Sequence, residues 1–168
     1  MAKIITTTKN EEETQFLGAS LAKEILKIKN NNSLIIFLTG DLGAGKTVLT
    51  KGVLKGLGFK GIVKSPTFTI TEIYEINKLT IYHFDLFRIE NPIELLHIGI
   101  EEYLIQKDSF SIFEWPEKAI TILPKPDLNI KIDHLDGKDP NSRKISIETE
   151  MLIKTLQTQC DNNVAKET

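Results

Sequence analysis

The segment at residues 40–47 constrains this chain more than any other part of it. It reads Gly-Asp-Leu-Gly-Ala-Gly-Lys-Thr and fits the phosphate-binding pattern G-x-x-x-x-G-K-[ST] at every fixed position. The apolar run before it predicts a buried strand, and the residues after it have helical periodicity. Glycines let the backbone approach phosphate oxygens, and the N-terminus of the following helix attracts an anion. The segment therefore predicts a phosphate site between a strand and a helix.

Backbone and side chains of this loop are both expected to bind a nucleoside triphosphate. The Lys46 ammonium would reach the terminal phosphates, and the Thr47 hydroxyl would be a ligand of Mg²⁺. The alternative is a glycine-rich turn without a ligand, which the flanking strand and helix disfavour. The predicted nucleotide contacts in the loop are Asp41, Leu42, Gly43, Ala44, Gly45, Lys46 and Thr47.

The bulk composition excludes several classes of protein. With 168 residues and a net charge of −2, the chain has the length of one domain and is not the polycation typical of a stand-alone nucleic-acid binder. Cys160 is the only cysteine, and no apolar run has the length of a membrane span. We therefore expect a cytoplasmic protein, not bound to a membrane, with one domain over residues 1–158 and a flexible tail over residues 159–168.

The hydrophobic pattern indicates an α/β fold. Asn10 and Glu13 resemble a capping box ahead of a helix, and Asn77-Lys78 separates two alternating runs that predict an antiparallel hairpin. Further predicted elements are strands at residues 110–113, 128–134 and 144–149, a helix at residues 92–104 broken at Gly99, and a last helical turn at residues 151–156. We expect a three-layer fold of the P-loop NTPase type, with a mostly parallel central sheet and the hairpin as an insertion.

The helix after the loop contains two glycines four residues apart, Gly52 and Gly56. Glycine lowers the intrinsic stability of a helix. Because the two share one face, we expect the backbone of this helix to approach the sheet closely there.

Residues 109–114 form an apolar strand that ends in an acid. This is the pattern of a Walker B element, in which a carboxylate at the strand tip contacts Mg²⁺ directly or through water. We predict Glu114 to be a metal ligand and, with Lys46, a catalytic residue. Trp115 follows at once, and two interpretations of it stay open: a core or interface anchor, or a part of the active face.

Residues 82–88 are dense in side chains that perform chemistry. On a strand, His83 and Asp85 share one face. Asp85 would position water or Mg²⁺ and is predicted to be catalytic, while His83 would contact that neighbourhood or the γ-phosphate. The alternative, equally compatible with the spacing, is an Asp85–Arg88 pair that fixes a strand end, with His83 satisfied in the core.

Ser65-Pro66-Thr67 occupies the place where many phosphate-loop proteins have a switch segment. Hydroxyl groups there would sense the γ-phosphate. Residue types alone favour the other interpretation, a turn in which Pro66 fixes the entry to the next strand.

These segments together resemble the bacterial TsaE (YjeE) family in order and spacing, from about residue 10 to about residue 147. The resemblance implies an ATPase, with ATP as substrate and Mg²⁺ as cofactor. It implies a role in making threonylcarbamoyladenosine in tRNA, at the adenosine beside the anticodon. It also implies TsaB and TsaD as partners, with the transfer performed by TsaD and tRNA contacted only through the complex.

The resemblance also implies roles for single residues. Lys46 would contact phosphates, Thr47 and Glu114 would serve Mg²⁺, and Asp85 would be tied to hydrolysis. Residues 10–14 and Arg143-Lys144 match more loosely, near the nucleotide base, and the contacts expected there are Lys9, Asn10, Thr14 and Lys144. The residues expected to face a switch or a partner are Ser65, Thr67, His83, Arg88 and Trp115. One departure is Phe87, where the family usually has Tyr, so no phenolic hydroxyl is required at that place.

Two other functions stay open. A small-molecule kinase would have the same fold class, but its lid usually relies on several arginines, and this chain has only Arg88 and Arg143. A nucleotide-dependent binding switch with negligible turnover would use Trp115 and the acidic stretch near it as a partner surface. The scarcity of arginine fits a catalyst that is stimulated in trans, because arginine fingers are supplied that way in other phosphate-loop enzymes.

Overall fold

The computed structural model describes residues 2–28, 33–135 and 139–150 of the chain. The predicted last helical turn at residues 151–156, the domain boundary at residue 158 and the tail lie outside these ranges, so they stay predictions. Within the described ranges, no helix is both long and apolar enough to cross a bilayer.

The described chain contains both helices and strands. The helices are α1 (Glu11–Ile28), α2 (Lys46–Gly56), α3 (Ile93–His97) and α4 (Ile100–Ile105), with a 3₁₀ turn at Pro116–Lys118. The strands are β1 (Ala2–Thr8), β2 (Leu34–Thr39), β3 (Thr71–Ile76), β4 (Leu79–Asp85), β5 (Ser109–Glu114), β6 (Leu128–His134) and β7 (Arg143–Thr149). The predicted helix break lies at Gly99, between α3 and α4.

The seven described strands form one sheet in the order β1-β7-β6-β2-β5-β4-β3. The central strands β6, β2, β5 and β4 pair in parallel, which confirms a parallel core. Both edges are antiparallel: β3 and β4 form the predicted hairpin, and β6, β7 and β1 form the other edge. The prediction of one antiparallel insertion was therefore incomplete, because the chain returns after β6 to build a second antiparallel edge.

Strand β1 was not predicted from the sequence. It reads AKIITTT, in which Ile4 is buried and Ile5 is about half exposed. Its hydrogen-bonding partner is β7, at the far end of the described chain, with Ala2 opposite Thr149. A threonine-rich segment is compatible with a strand, but only the pairing with β7 makes it one.

The sheet separates two hydrophobic cores, and β2 contributes to both. Leu34, Ile36 and Leu38 pack with residues of α1 and α2, whereas Ile35 and Phe37 pack with residues of α3, α4 and the segment after the 3₁₀ turn. A strand that is buried on both faces has a continuous apolar sequence, as β2 does. Helices therefore cover both faces, and the end of β2 is held from both sides.

Helices α1 and α2 pack against each other at a glycine. A Cβ atom added to Gly52 would lie 2.1 Å from the carbonyl oxygen of Gln15 in α1, and Gly56 faces Ala19 of α1 in the same way. The prediction that these glycines approach the sheet is wrong. The side of α2 that carries Leu49 packs into the core, so the glycine side meets α1 instead.

Candidate functional site

The phosphate loop, residues 40–47, joins the end of β2 to the start of α2. Positive φ angles at its glycines, including 141° at Gly40 and 108° at Gly45, wind it into a tight curve. Because α2 begins at Lys46, the N–H groups of its first turn have no acceptor inside the helix. These groups and the positive end of the helix make the loop suited to an anion.

Two carboxylates lie at strand ends beside this loop. Asp85 ends β4 and Glu114 ends β5, and the parallel register places them opposite each other. Glu114 is in turn opposite Leu38 of β2, shortly before the loop begins. Since neighbouring parallel strands end at the same edge of a sheet, residues far apart in the sequence meet here.

Glu114 is only 3% exposed and is held by two side chains. The Thr47 hydroxyl donates to the carboxylate, with Oγ1 2.9 Å from Oε1 and 3.1 Å from Oε2. Nε2 of His83, which is fully buried, lies 2.8 Å from Oε1. Because an ionised carboxylate only accepts hydrogen bonds, Nε2 is the donor. The two predicted Mg²⁺ ligands, Thr47 and Glu114, are thus in direct contact, and His83 supports Glu114 rather than Asp85.

Asp85 is 4% exposed and accepts three hydrogen bonds. Its Oδ2 accepts from the hydroxyls of Ser65 at 2.8 Å and Thr67 at 2.7 Å, and its Oδ1 accepts from the Phe87 N–H at 3.1 Å. A carboxylate has about four acceptor positions, so roughly one stays open. The turn at residues 65–67 and the polar segment that contains Asp85 were predicted as separate features. The structure joins them by hydrogen bonds to the Asp85 carboxylate.

The Asp85–Arg88 pair that the spacing allowed does not form in the part of the chain that the structure describes. The Arg88 guanidinium instead lies 4.4 Å from the centroid of the Phe68 ring. Phe68 is 82% exposed, so this cation–π contact lies on the surface.

Lys46 is 5% exposed and its Nζ lies within the loop. Nζ donates to the carbonyls of Gly40 at 2.6 Å and Asp41 at 2.9 Å, and it lies 3.9 Å from the centroid of the Trp115 ring. Burial lowers the pKa of Lys46 below its ordinary value. Four carboxylates oppose this shift: Glu114, Glu117, Asp85 and Asp41.

Trp115 forms a wall beside the loop. Its backbone is left-handed, with φ at 59°, and its ring packs on Phe87 with centroids 5.2 Å apart. The contact with Lys46 favours the interpretation of Trp115 as part of the active face.

A cavity of about 330 Å³ lies in front of the loop. The predicted residues that line it are Leu42, Gly43, Gly45, Lys46, Thr47, Ser65, Thr67, Asp85, Glu114 and Trp115. Val48 and Phe87 also line it and were not predicted as site residues. Glu11 lines it too and belongs to the segment at residues 10–14 that the resemblance placed near the nucleotide base. The sequence held a signal for Phe87, since it lies two residues after Asp85 in an alternating segment.

The predicted contacts at the start of α1 form a helix cap. Asn10 Oδ1 accepts from the Glu13 N–H at 2.9 Å, and Glu13 Oε2 accepts from the Lys9 N–H at 2.8 Å, so the capping box is present but closes on Lys9. Thr14 is 2% exposed and lies 2.7 Å from the hydroxyl of Thr8. These side chains do not line the cavity, whereas Glu11 in the same turn does.

At the β7 end, Arg143 rather than Lys144 contacts the loop. Arg143 Nε donates to the Ala44 carbonyl at 2.8 Å, and Nη2 donates to the Gly43 carbonyl at 3.4 Å. Lys144 is exposed and is not among the residues that line the cavity. The resemblance placed Arg143-Lys144 near the nucleotide base, but no local pattern indicates the contact of Arg143 with the loop, because the two partners are 99 positions apart.

Thr47 and Glu114 are the residues that fit a Mg²⁺ ion. Both offer oxygen atoms, the donors that Mg²⁺ prefers, and both line the cavity beside Lys46. In the described ranges, no group of three His, Cys, Asp or Glu side chains gathers into a closed metal site. Two protein oxygens suit an ion that usually takes its other ligands from water and substrate phosphates.

Comparison with known proteins identifies the family of the chain. A family model described as "Threonylcarbamoyl adenosine biosynthesis protein TsaE" matches residues 8–145. The "tRNA threonylcarbamoyladenosine biosynthesis protein TsaE" of Haemophilus influenzae is 46% identical over 119 residues, which cover 71% of this chain and 75% of the relative. The protein of the same name from Bacillus subtilis is 35% identical over 158 residues, which cover 93% and 95%.

A solved structure is similar over nearly the whole length. The crystal structure of Bacillus subtilis YdiB matches with a TM-score of 0.71 and 29% sequence identity, over 96% of each chain. Together with the family match and the two relatives, this likeness identifies the chain as a member of the TsaE family.

Proposed function

We propose that this chain is a Mg²⁺-dependent ATPase that supports threonylcarbamoyladenosine modification of tRNA, beside the anticodon, together with TsaB and TsaD. The observation that supports this most is the contact of Thr47 with Glu114 next to the Lys46 ammonium. A hydroxyl, a carboxylate and a cation at the start of a helix are the parts that bind a nucleotide phosphate with its metal. The relatives named for this modification support the biological setting.

We also propose that the fold is of the P-loop NTPase type, in which the loop would hold the phosphates through its backbone. The curve at residues 40–47 points the first N–H groups of α2 toward one side, and Lys46 adds a positive charge there. An anion at that place gains charge-assisted hydrogen bonds, which are about twice as strong as neutral ones.

Mg²⁺ would be held by Thr47 and Glu114, and when bound it would neutralise charge on the phosphates. Neighbouring side chains of the protein orient Glu114 for this role. The Thr47 hydroxyl and His83 Nε2 both donate to Glu114, so the carboxylate has a fixed orientation. Supporting bonds of this kind normally orient metal ligands.

Asp85 is the residue best placed to hold the attacking water. Three donors fix its carboxylate, and about one acceptor position is left for another O–H group. Ser65 and Thr67 come from the loop before β3, so a change of that loop would move or release Asp85. The segment at residues 65–67 can thus couple the γ-phosphate to the water-holding carboxylate.

TsaB and TsaD are expected to supply a positively charged group to the site, because neither arginine of the chain is directed at the cavity. Arginine is the usual donor to the charge that develops in phosphoryl transfer. Arg88 lies on Phe68, and Arg143 is bound to loop carbonyls, so neither is directed at the cavity. We therefore propose slow turnover by the chain alone and stimulation by TsaB and TsaD, with tRNA contacted through the complex.

The test measures ATP hydrolysis by the chain alone, with TsaB and TsaD, and with candidate small-molecule acceptors. We expect Mg²⁺-dependent turnover that the protein pair stimulates. Glu114→Gln should abolish it, and Glu148→Gln, which changes an acid on β7 away from the site, should not. A phosphorylated metabolite would identify a kinase instead, and binding without turnover in every mixture would identify a switch.

A further inference from the structure

Arg143, the first residue of β7, contacts the phosphate loop. It lies on the side of the loop away from the strands that carry Asp85 and Glu114. Its guanidinium contacts four carbonyl oxygens. Two belong to the loop, from Gly43 and Ala44, and two belong to the turn before β7, from Pro140 and Ser142. We infer that Arg143 is a positioning residue that shapes the loop for phosphate binding, an inference that rests on the proposed function.

The direction of one peptide unit explains how this works. In a planar trans peptide, the C=O and the N–H point in opposite directions. The Ala44 carbonyl accepts from Arg143 Nε at 2.8 Å, so the N–H of Gly45, in the same peptide unit, points away from Arg143. Gly45 lines the cavity while Ala44 does not. Arg143 therefore holds the Ala44 carbonyl outward and turns the Gly45 N–H toward the phosphate side.

The guanidinium is itself held in place by the turn at residues 139–142. The Ser142 N–H donates to the Asp139 carbonyl at 2.8 Å, and the Asn141 N–H donates to Asp139 Oδ1 at 2.8 Å. This closed turn presents the Pro140 and Ser142 carbonyls to Nη1. A planar fork fixed at one end can impose a geometry at the other, which a flexible ammonium cannot do.

Strand β6 supports the same loop by backbone packing. A Cβ atom added to Gly40 would lie 2.2 Å from the Ile132 carbonyl oxygen. Gly40, the first residue of the loop, thus packs against β6, and Arg143 from β7 binds the carbonyls in the middle of the loop. Because both supports contact backbone, they fix the course of the loop and leave its inner surface free.

The test compares three substitutions of Arg143 by titration with ADP and Mg²⁺, read by calorimetry and by the fluorescence of Trp115, the only tryptophan. Arg143→Met keeps the aliphatic stem, Arg143→Lys keeps the charge, and Arg143→Ala opens space for free guanidinium. Lys131→Ala is the control, because it removes one exposed positive charge from β6, where Lys131 is paired with Asp133.

We expect Arg143→Met to weaken ADP binding about tenfold or more, since a hydrogen bond from a charged group is lost on a loop that must stay ordered. Arg143→Lys should recover little, because one ammonium cannot bridge the loop and the turn. Low millimolar guanidinium, far below denaturing concentrations, should partly restore binding to Arg143→Ala. For ATP turnover, KM should rise with kcat changed less, as expected when ground state and transition state lose the same binding.

Unchanged ADP affinity in Arg143→Met would overturn this inference, and so would full recovery by Arg143→Lys, which would assign the effect to charge alone. A loss confined to kcat would also overturn it. If the unmodified chain bound neither ADP nor ATP, the proposed function itself would fail, and that result is distinct from equal binding by the unmodified chain and its variants.

Discussion

The phosphate loop has two flanks that are built in different ways. The acid flank, on β4 and β5, consists of Asp85 and Glu114 with His83, Ser65 and Thr67. It is made of side chains that contact one another. The brace flank, on β6 and β7, consists of Ile132, Arg143 and the turn at residues 139–142. There almost every contact with the loop is made to backbone atoms.

This difference separates chemistry from shape. The acid flank holds the groups that can bind a metal and a water molecule, so replacing one of these groups removes a ligand or an acceptor from the site. On the brace flank, the Asp139 carboxylate accepts from the Asn141 N–H of its own turn. This flank would instead decide whether the loop N–H groups point at a phosphate. Substitutions on the acid flank should therefore reduce turnover, and substitutions on the brace flank should reduce binding.

The largest effect is expected for Asp85→Asn. The amide has one acceptor oxygen instead of two, so it cannot accept from the Ser65 and Thr67 hydroxyls and from the Phe87 N–H at the same time. It also loses the charge that would hold water. Turnover should fall by about 10²- to 10⁴-fold, the usual contribution of a group that handles a proton in the transition state. ATP affinity, measured by calorimetry, should stay within a few fold. Asp133→Asn, a partly exposed acid on β6 that pairs with Lys131, is the control. Loss of ATP binding in Asp85→Asn would contradict the assigned role.

The next effect is expected for His83→Ala, which removes the donor to Glu114. Loss of a group that orients a metal ligand typically costs about 10- to 100-fold in metal affinity or activity. We therefore expect a higher Mg²⁺ requirement in the ATPase assay, with recovery in His83→Gln, whose amide can donate. If His83→Ala lowered only the melting temperature and left the Mg²⁺ requirement unchanged, its part in the acid flank would be purely structural.

On the brace flank, Gly40→Ala should destabilise the fold. The new methyl group would lie 2.2 Å from the Ile132 carbonyl oxygen, at a φ of 141° that side chains rarely adopt. We expect a loss of about 1–3 kcal/mol in the free energy of unfolding, measured with urea. Gly43→Ala is the matched comparison, since no atom lies within 4 Å of its added Cβ, and it should cost less. Equal losses would show that φ alone matters.

The smallest effect concerns pH and Lys46, the cation between the two flanks. Burial lowers the pKa of Lys46, and only the charged form attracts phosphate. Nucleotide affinity should therefore decrease as pH rises through this lowered pKa, by at most about tenfold per pH unit. In Lys46→Met, whatever binding is left should show no such decrease. A flat profile in the unmodified chain would mean that the ammonium adds little to binding.

Much of the fold followed from local patterns. The apolar run of β2, the hairpin with its turn at Asn77 and the helix break at Gly99 were predicted because each depends on neighbours in the sequence. Strand β1 was missed because its partner β7 is at the other end of the described chain. The glycine face of α2 was predicted to contact the sheet, but Gly52 contacts α1. Glycines on one face indicate a close contact, but they do not indicate which element makes it.

By itself, the sequence determined the groups that can perform chemistry: the loop with Lys46 and Thr47, the acid Glu114 after an apolar strand, and Asp85 in its polar segment. Each is encoded by residue type and short spacing. Only the tertiary structure decided that His83 supports Glu114, that Ser65 and Thr67 bind Asp85, and that Arg143 holds the loop. These contacts depend on which strands lie next to each other in the sheet. The order of the strands is set by packing of the whole domain.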